Sequence, residues 1–158
     1  MDRSFATLET EFQSDLIVEI RELPLPRIED ETLGGKLETV RQLLRRSIEL
    51  RDRVPALVNA FHLGKLLNQT RNATTKSKLK KNLTSHYATV AEYTYDIFEL
   101  NPCQILHTSS ISVQTIRRLK RRQVLRLRNI IENNVIYNNF AGAQNLGEAI
   151  VTGDPAAE

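Results

Sequence analysis

The chain has no tryptophan, a single cysteine, and no glycine between Lys65 and Ala141. Each scarcity excludes something. Cys103 alone makes no internal disulfide and supplies no cysteine-rich zinc site. Pro102 is the only proline inside the glycine-free stretch. A β-rich domain needs turn residues at intervals of about 8–12 positions, and this stretch does not provide them, so helices are expected. No apolar run approaches the roughly 18 residues of a membrane span. The N-terminus, MDRSFATLETEF, is acidic where a secretory leader is basic and then apolar, so an intracellular, reducing compartment, nucleus or cytoplasm, is expected.

Catalytic signatures are missing as well. The chain contains no GxSxG, no glycine-rich phosphate loop, no HExxH and no DxDxDG. His62, His86 and His107 stand far apart, and the C-x3-H spacing of Cys103 and His107 is a common accident. The chain is therefore expected not to be an enzyme, with no catalytic, cofactor-binding or metal-binding residues and no small-molecule substrate. Three Asn-x-Thr triplets, at Asn68, Asn72 and Asn82, are read as chance matches in a polar loop and cap.

What is present is 158 residues, the length of one domain, with 22 basic and 19 acidic side chains. The net +3 hides an uneven distribution. Residues 1–34 hold nine acids and three bases, residues 35–70 three acids and seven bases, residues 71–128 three acids and twelve bases, and residues 129–158 four acids and no base. An acidic head and tail flank a basic middle. Either these blocks pack on one another or they steer partners.

Periodicity places the helices. Leu79, Leu83, His86, Val90, Tyr93, Ile97 and Leu100 recur at alternating steps of four and three, which predicts one long helix over 75–100 with a single packing seam. Thr74 or Thr75 caps its start, and Asn101-Pro102 ends it. The seam suits another helix, in an intramolecular bundle or in a coiled coil with a partner. His86 within it is read as a register residue and not as a ligand.

A basic amphipathic helix is predicted over 112–137, capped by Ser110 or Ser112. Val113, Ile116, Val124, Leu127 and Ile131 share one face; Arg117, Arg118, Arg121, Arg122, Arg126 and Arg128 spread over the opposite half. Lys120 falls in the apolar stripe, its stem packing while its ammonium reaches out. A further helix over 36–69 is kinked or broken at Pro55. Residues 1–28 read as an acidic N-terminal helix over 3–22 followed by the extended LPLP connector, although Leu16 to Ile20 suits a short strand equally well. Residues 1–140 form one helical domain in this reading, and 141–158 a flexible acidic tail.

The expected fold is all-α: an elongated bundle of four to five helices with coiled-coil-like packing. The candidate binding residues are the six arginines together with Lys76, Lys78, Lys80 and Lys81. Guanidinium groups stay charged and bind carboxylate or phosphate in a forked geometry. The leading expectation is a non-enzymatic subunit of a larger homo- or hetero-oligomeric protein assembly, its apolar stripes and arginine face binding protein partners. The alternative is a nucleic-acid-binding or coat-like packaging protein using the Arg117–Arg128 face, although no zinc-finger spacing and no aromatic RNA-binding pattern accompany it. No membrane association is expected.

Overall fold

A computed structural model of the chain describes residues 3–14 and 32–134. All regular structure among these residues is helical. The elements are α1 (Arg3–Ser14), α2 (Leu33–Glu49), α3 (Arg53–Gln69), α4 (Ala73–Lys81), α5 (Ser85–Phe98), α6 (Gln104–His107), α7 (Val113–Arg118) and α8 (residues 121–134). The rest of the helix expected over 3–22, the strand alternative, the LPLP connector and the 141–158 tail lie outside the described residues.

Among the described residues the four to five expected helices become eight: three of the longer ones are each two helices, and the short α6 lies between α5 and α7 where none was expected. The helix expected over 75–100 is two helices. The Asn82 amide donates to the Lys78 carbonyl at 2.9 Å, and the Leu83 N–H turns back to the Lys80 carbonyl at 3.0 Å, ending α4. Two residues on, the Thr84 hydroxyl accepts the Tyr87 N–H at 3.2 Å and starts α5. Asparagine and threonine compete for backbone groups in this way. The seven-residue seam is therefore not one stripe. Leu79 and Leu83 enter one core cluster, Val90 and Ile97 enter the other, Tyr93 and Leu100 are half-buried, and His86 is exposed. Steps of four and three read the same across the break, so the pattern alone conceals it.

The helix expected over 112–137 is likewise two. Ser112 caps α7, accepting the Thr115 N–H at 3.2 Å. The chain then leaves the helix at Leu119 in an extended conformation. The Gln123 side chain accepts the Lys120 N–H at 2.8 Å, while the Gln123 N–H reaches the Lys120 carbonyl at 2.9 Å. This has the reciprocal logic of a capping box, and it sets the start of α8. Lys120 is exposed and is not part of an apolar stripe. Over 36–69 the chain leaves the helix between Glu49 and Arg53, and Pro55 falls in the first turn of α3, where its missing N–H removes no helical bond. The Arg53 guanidinium fixes that start, donating to the Ile105 carbonyl at 2.9 Å and the Thr108 carbonyl at 2.6 Å, at the end of α6.

Nine of the 17 residues of α3 are buried, on every side, so α3 is a central helix and not an amphipathic one. One cluster joins Phe5, Leu8 and Phe12 of α1 to Leu57 and Phe61 of α3, Ile97 and Phe98 of α5, Ile105, Ile111 and Ile116, and Val124, Leu127 and Ile131 of α8. The other joins Val40 and Leu43 of α2 to Leu63, Leu66 and Leu67 of α3, Leu79 and Leu83, and Ala88 and Ala91 of α5. Where α3 crosses α5, Gly64 lies against the Ala91 backbone and the Tyr95 Cβ. Polar groups tie the two clusters together. The Asn59 amide donates to the Leu43 carbonyl at 3.0 Å, and Ser47 of α2 bonds the Tyr87 hydroxyl of α5 at 2.7 Å.

His62 on α3 is 5% exposed, and its Nδ1 has no partner among the described residues. Burial, and then the charge of Lys65, hold its pKa below the ordinary histidine value of 6.5. The unfolded chain thus takes up a proton near that pH while the folded chain keeps the ring neutral. Stability is complete above that pH and falls as the pH drops below it. Urea unfolding at pH 7.5 and 5.5 tests this: the wild type loses more stability between the two than His62→Leu does. An equal loss in both proteins removes His62 as the cause.

Candidate cationic interface

Four helices set the charged surface: α4, α5, α7 and α8. The acids of the 71–128 block are Glu92, Asp96 and Glu99, spaced i, i+4 and i+7, which places them on one face of α5 and its C-terminal turn. Each meets a base from another element. Lys80 of α4 pairs with Glu92 at 3.0 Å, Arg121 of α8 pairs with Asp96, and Arg128 of α8 pairs with Glu99 at 2.7 Å. Arg128 also donates to the Asp96 carbonyl at 2.8 Å. The other Glu99 oxygen accepts the Tyr95 hydroxyl at 2.9 Å. Burial first, and then this bond and the Glu99 charge, push the Tyr95 pKa up to about 12.

The acidic head packs on the basic segment. Arg126 pairs with Glu9 at 2.6 Å, its guanidinium 5.6 Å from the Phe5 ring centre. Glu11 accepts the Ser110 N–H at 2.7 Å and the Ser110 hydroxyl. The Asn134 amide donates to the Phe12 carbonyl at 3.2 Å. Arg121 lies over Tyr93, 5.8 Å from its ring centre. These contacts differ in weight. The Arg121 and Arg126 side chains are more than half exposed, which puts such pairs near the surface median of about 0–1 kcal/mol. Arg128 and Glu99 are both mostly shielded and gain more from their pairing.

The continuous arginine face expected over 112–137 is thus divided. Arg121, Arg126 and Arg128 are taken up by Asp96, Glu9 and Glu99 of the same chain. Arg117, Arg118 and Arg122 are exposed and have no ion pair among the described residues. In the lysine cluster Lys80 is paired; Lys76 is half-buried, Lys78 and Lys81 are exposed, and none of these three has an ion pair among the described residues. The acidic face of α5 meets both the lysine helix and the arginine helix. Arg117 and Arg118 line a cleft of about 340 Å³ together with Gln114 of α7 and His86 of α5. His86, expected in a seam, therefore stands beside two arginines. On α8 the exposed Leu125 follows Arg121 and Arg122 by one turn, on the same face.

Among the described residues no three His, Cys, Asp or Glu side chains gather as a metal site. No described helix is long and apolar enough to cross a membrane. Cys103 is buried and His107 exposed. Sequence reasoning missed Arg53, Gly64 and the acidic face of α5. The last was readable from the spacing of Glu92, Asp96 and Glu99, had those acids been set against the bases around them. Compared with known proteins, the chain matches no family model, no curated protein and no solved structure.

Proposed function

We propose that the protein is a non-enzymatic helical bundle that serves as a subunit of a larger assembly and docks an acidic protein partner through Arg117, Arg118 and Arg122. The observation that carries this reading is that these three arginines are exposed without an ion pair among the described residues, while their neighbours on α8 are neutralised internally. The seam residues Leu79, Leu83, Val90 and Ile97 lie in the chain's own core, so the docking surface is assigned to the cations and not to an apolar stripe.

An acidic protein suits this surface better than a nucleic acid. A polynucleotide backbone rewards an unbroken track of bases through counterion release. Here Glu92, Asp96 and Glu99 interrupt the track between the lysine and arginine helices. Exposed arginine is enriched at protein-binding hot spots, which favours a protein partner for Arg117, Arg118 and Arg122.

A labelled polyglutamate peptide and a single-stranded oligonucleotide of equal charge, each titrated at low salt, test the reading. The peptide binds the wild type, and Arg117→Glu/Arg118→Glu/Arg122→Glu binds it about tenfold or more weakly with its helical circular dichroism intact. Binding unchanged in the triple variant overturns the assignment. Oligonucleotide binding without peptide binding favours the packaging alternative. With no tryptophan and four tyrosines, co-purifying nucleic acid is obvious in the absorbance spectrum.

A further inference from the structure

The free part of the cationic surface is not uniform. Arg117 and Arg118 open into a cleft with His86 and Gln114, whereas Arg122 stands outside it. No described lining residue is a carboxylate. Every lining side chain offers N–H donors: two guanidiniums, one carboxamide and one imidazole. The cleft also lies at the positive end of α5, a helix of 14 residues in which His86 is the second. Thr84 accepts the Tyr87 N–H, while the N–H groups of Ser85 and His86 fall in the first turn, where no intrahelical acceptor exists.

We propose that this cleft is a phosphate-monoester site, occupied by a phosphorylated serine or threonine of the acidic partner. The inference deepens the docking reading above and rests on it. Charge balance selects the ligand. A phosphate monoester carries about −1.5 to −2 charges at pH 7 and three acceptor oxygens. Two guanidiniums match that charge and present forked donors to those oxygens. A single carboxylate leaves one guanidinium uncompensated. A phosphodiester carries one charge and has two of its oxygens substituted. Size agrees with a side-chain ligand: about 340 Å³ is at the lower end of small-molecule sites, which begin near 300 Å³.

The test titrates O-phosphoserine, inorganic phosphate, glutamate and dimethyl phosphate into the isotope-labelled full chain and follows its NMR spectrum. O-phosphoserine gives saturable shifts at the amides of Ser85, His86 and Gln114 and at the guanidinium Nε of Arg117 and Arg118. Its affinity exceeds that of glutamate and of dimethyl phosphate by about tenfold or more, and Arg117→Gln/Arg118→Gln abolishes the shifts while the remaining spectrum stays folded. His86→Ala weakens binding in the same direction. Equal affinity for dimethyl phosphate overturns the monoester assignment in favour of a nucleic-acid backbone. Inorganic phosphate binding more tightly than O-phosphoserine overturns a partner-borne source. Shifts scattered over the lysines, or unchanged in the double variant, overturn the site itself. Polyglutamate binding that survives while O-phosphoserine fails leaves the docking reading standing without this site; failure of both removes both.

Discussion

Gly64→Ala is expected to destabilise the protein by about 3 kcal/mol or more, at or above the upper end of the usual overpacking range. A Cβ built on Gly64 stands 2.1 Å from the Ala91 carbonyl oxygen and 2.6 Å from Tyr95 Cβ. The first obstacle is backbone, so no rotamer change relieves it, and α3 and α5 must move apart. That separation opens both core clusters, because α3 and α5 contribute to each. A domain of this size has about 5–15 kcal/mol to lose, so the loss is a large share of the total. Gly34→Ala is the control. A Cβ there meets only the Thr32 hydroxyl oxygen at 3.9 Å, an ordinary contact, in the first turn of α2. Restricting the unfolded chain then stabilises by about 0.4–1 kcal/mol. Thermal melts by circular dichroism give the two variants opposite signs. A Gly64→Ala melt within a degree of the wild type refutes the close crossing.

Phe98→Ala is expected to cost about 3–5 kcal/mol. The ring is 0% exposed at the C-terminus of α5 and lies 6.1 Å from the Phe12 ring, tilted by 39°. Phe12 is the last core residue of α1, and α1 is otherwise held by Phe5, Leu8 and polar contacts near the surface: Glu9 with Arg126, Glu11 with Ser110, and the Phe12 carbonyl with Asn134. Loss of Phe98 therefore loosens α1 before the central helices. Hydrogen exchange checks the order: amides of α1 lose protection first, while those of α3 keep theirs until global unfolding. A double-mutant cycle with Phe12→Ala returns a coupling of about 0.5–1.5 kcal/mol if the two rings interact directly. A coupling near zero, or simultaneous loss of protection in α1 and α3, contradicts this account. Release of α1 also strips Arg126 of Glu9, so the variant carries one more unpaired arginine on α8.

Local chemistry was the most legible part of the chain. Ser112, an expected cap, accepts a backbone N–H three residues on and begins α7; Asn72 and Thr84 do the same for α4 and α5, where the cap was expected at Thr74 or Thr75, which instead lie inside α4. Such bonds join near neighbours, so their donors and acceptors are written next to one another. The Asn72 and Asn82 triplets, which resemble modification signals, are accounted for as a helix start and a helix end. Helix length was less legible. The apolar steps from Leu79 to Leu100 continue through the turn at Leu83 because both fragments bury their stripes, each in a different cluster. Continuity of pattern is not continuity of helix. The same holds at Leu119, where the apolar face from Val113 to Ile131 runs on across the extended residue that separates α7 from α8.

The central position of α3 was hidden for a different reason. Its Ala60, Gly64, Asn59 and His62 do not read as one apolar stripe, yet all are buried. Asn59 tolerates burial because the Leu43 carbonyl accepts its amide, and Gly64 is needed because Ala91 passes so close. Both reasons lie on other helices.

From the amino-acid order alone came the helical character, forced by the lack of turn residues from Lys65 to Ala141, and a basic middle between acidic ends. Which of those bases remain available was decided only by the tertiary structure. Arg126 is neutralised by Glu9, more than a hundred residues away in the chain, while Arg117, Arg118 and Arg122 meet no described acid. Attraction between charges is strong only across a few ångströms in a partly shielded site, and those separations exist only once the helices have packed.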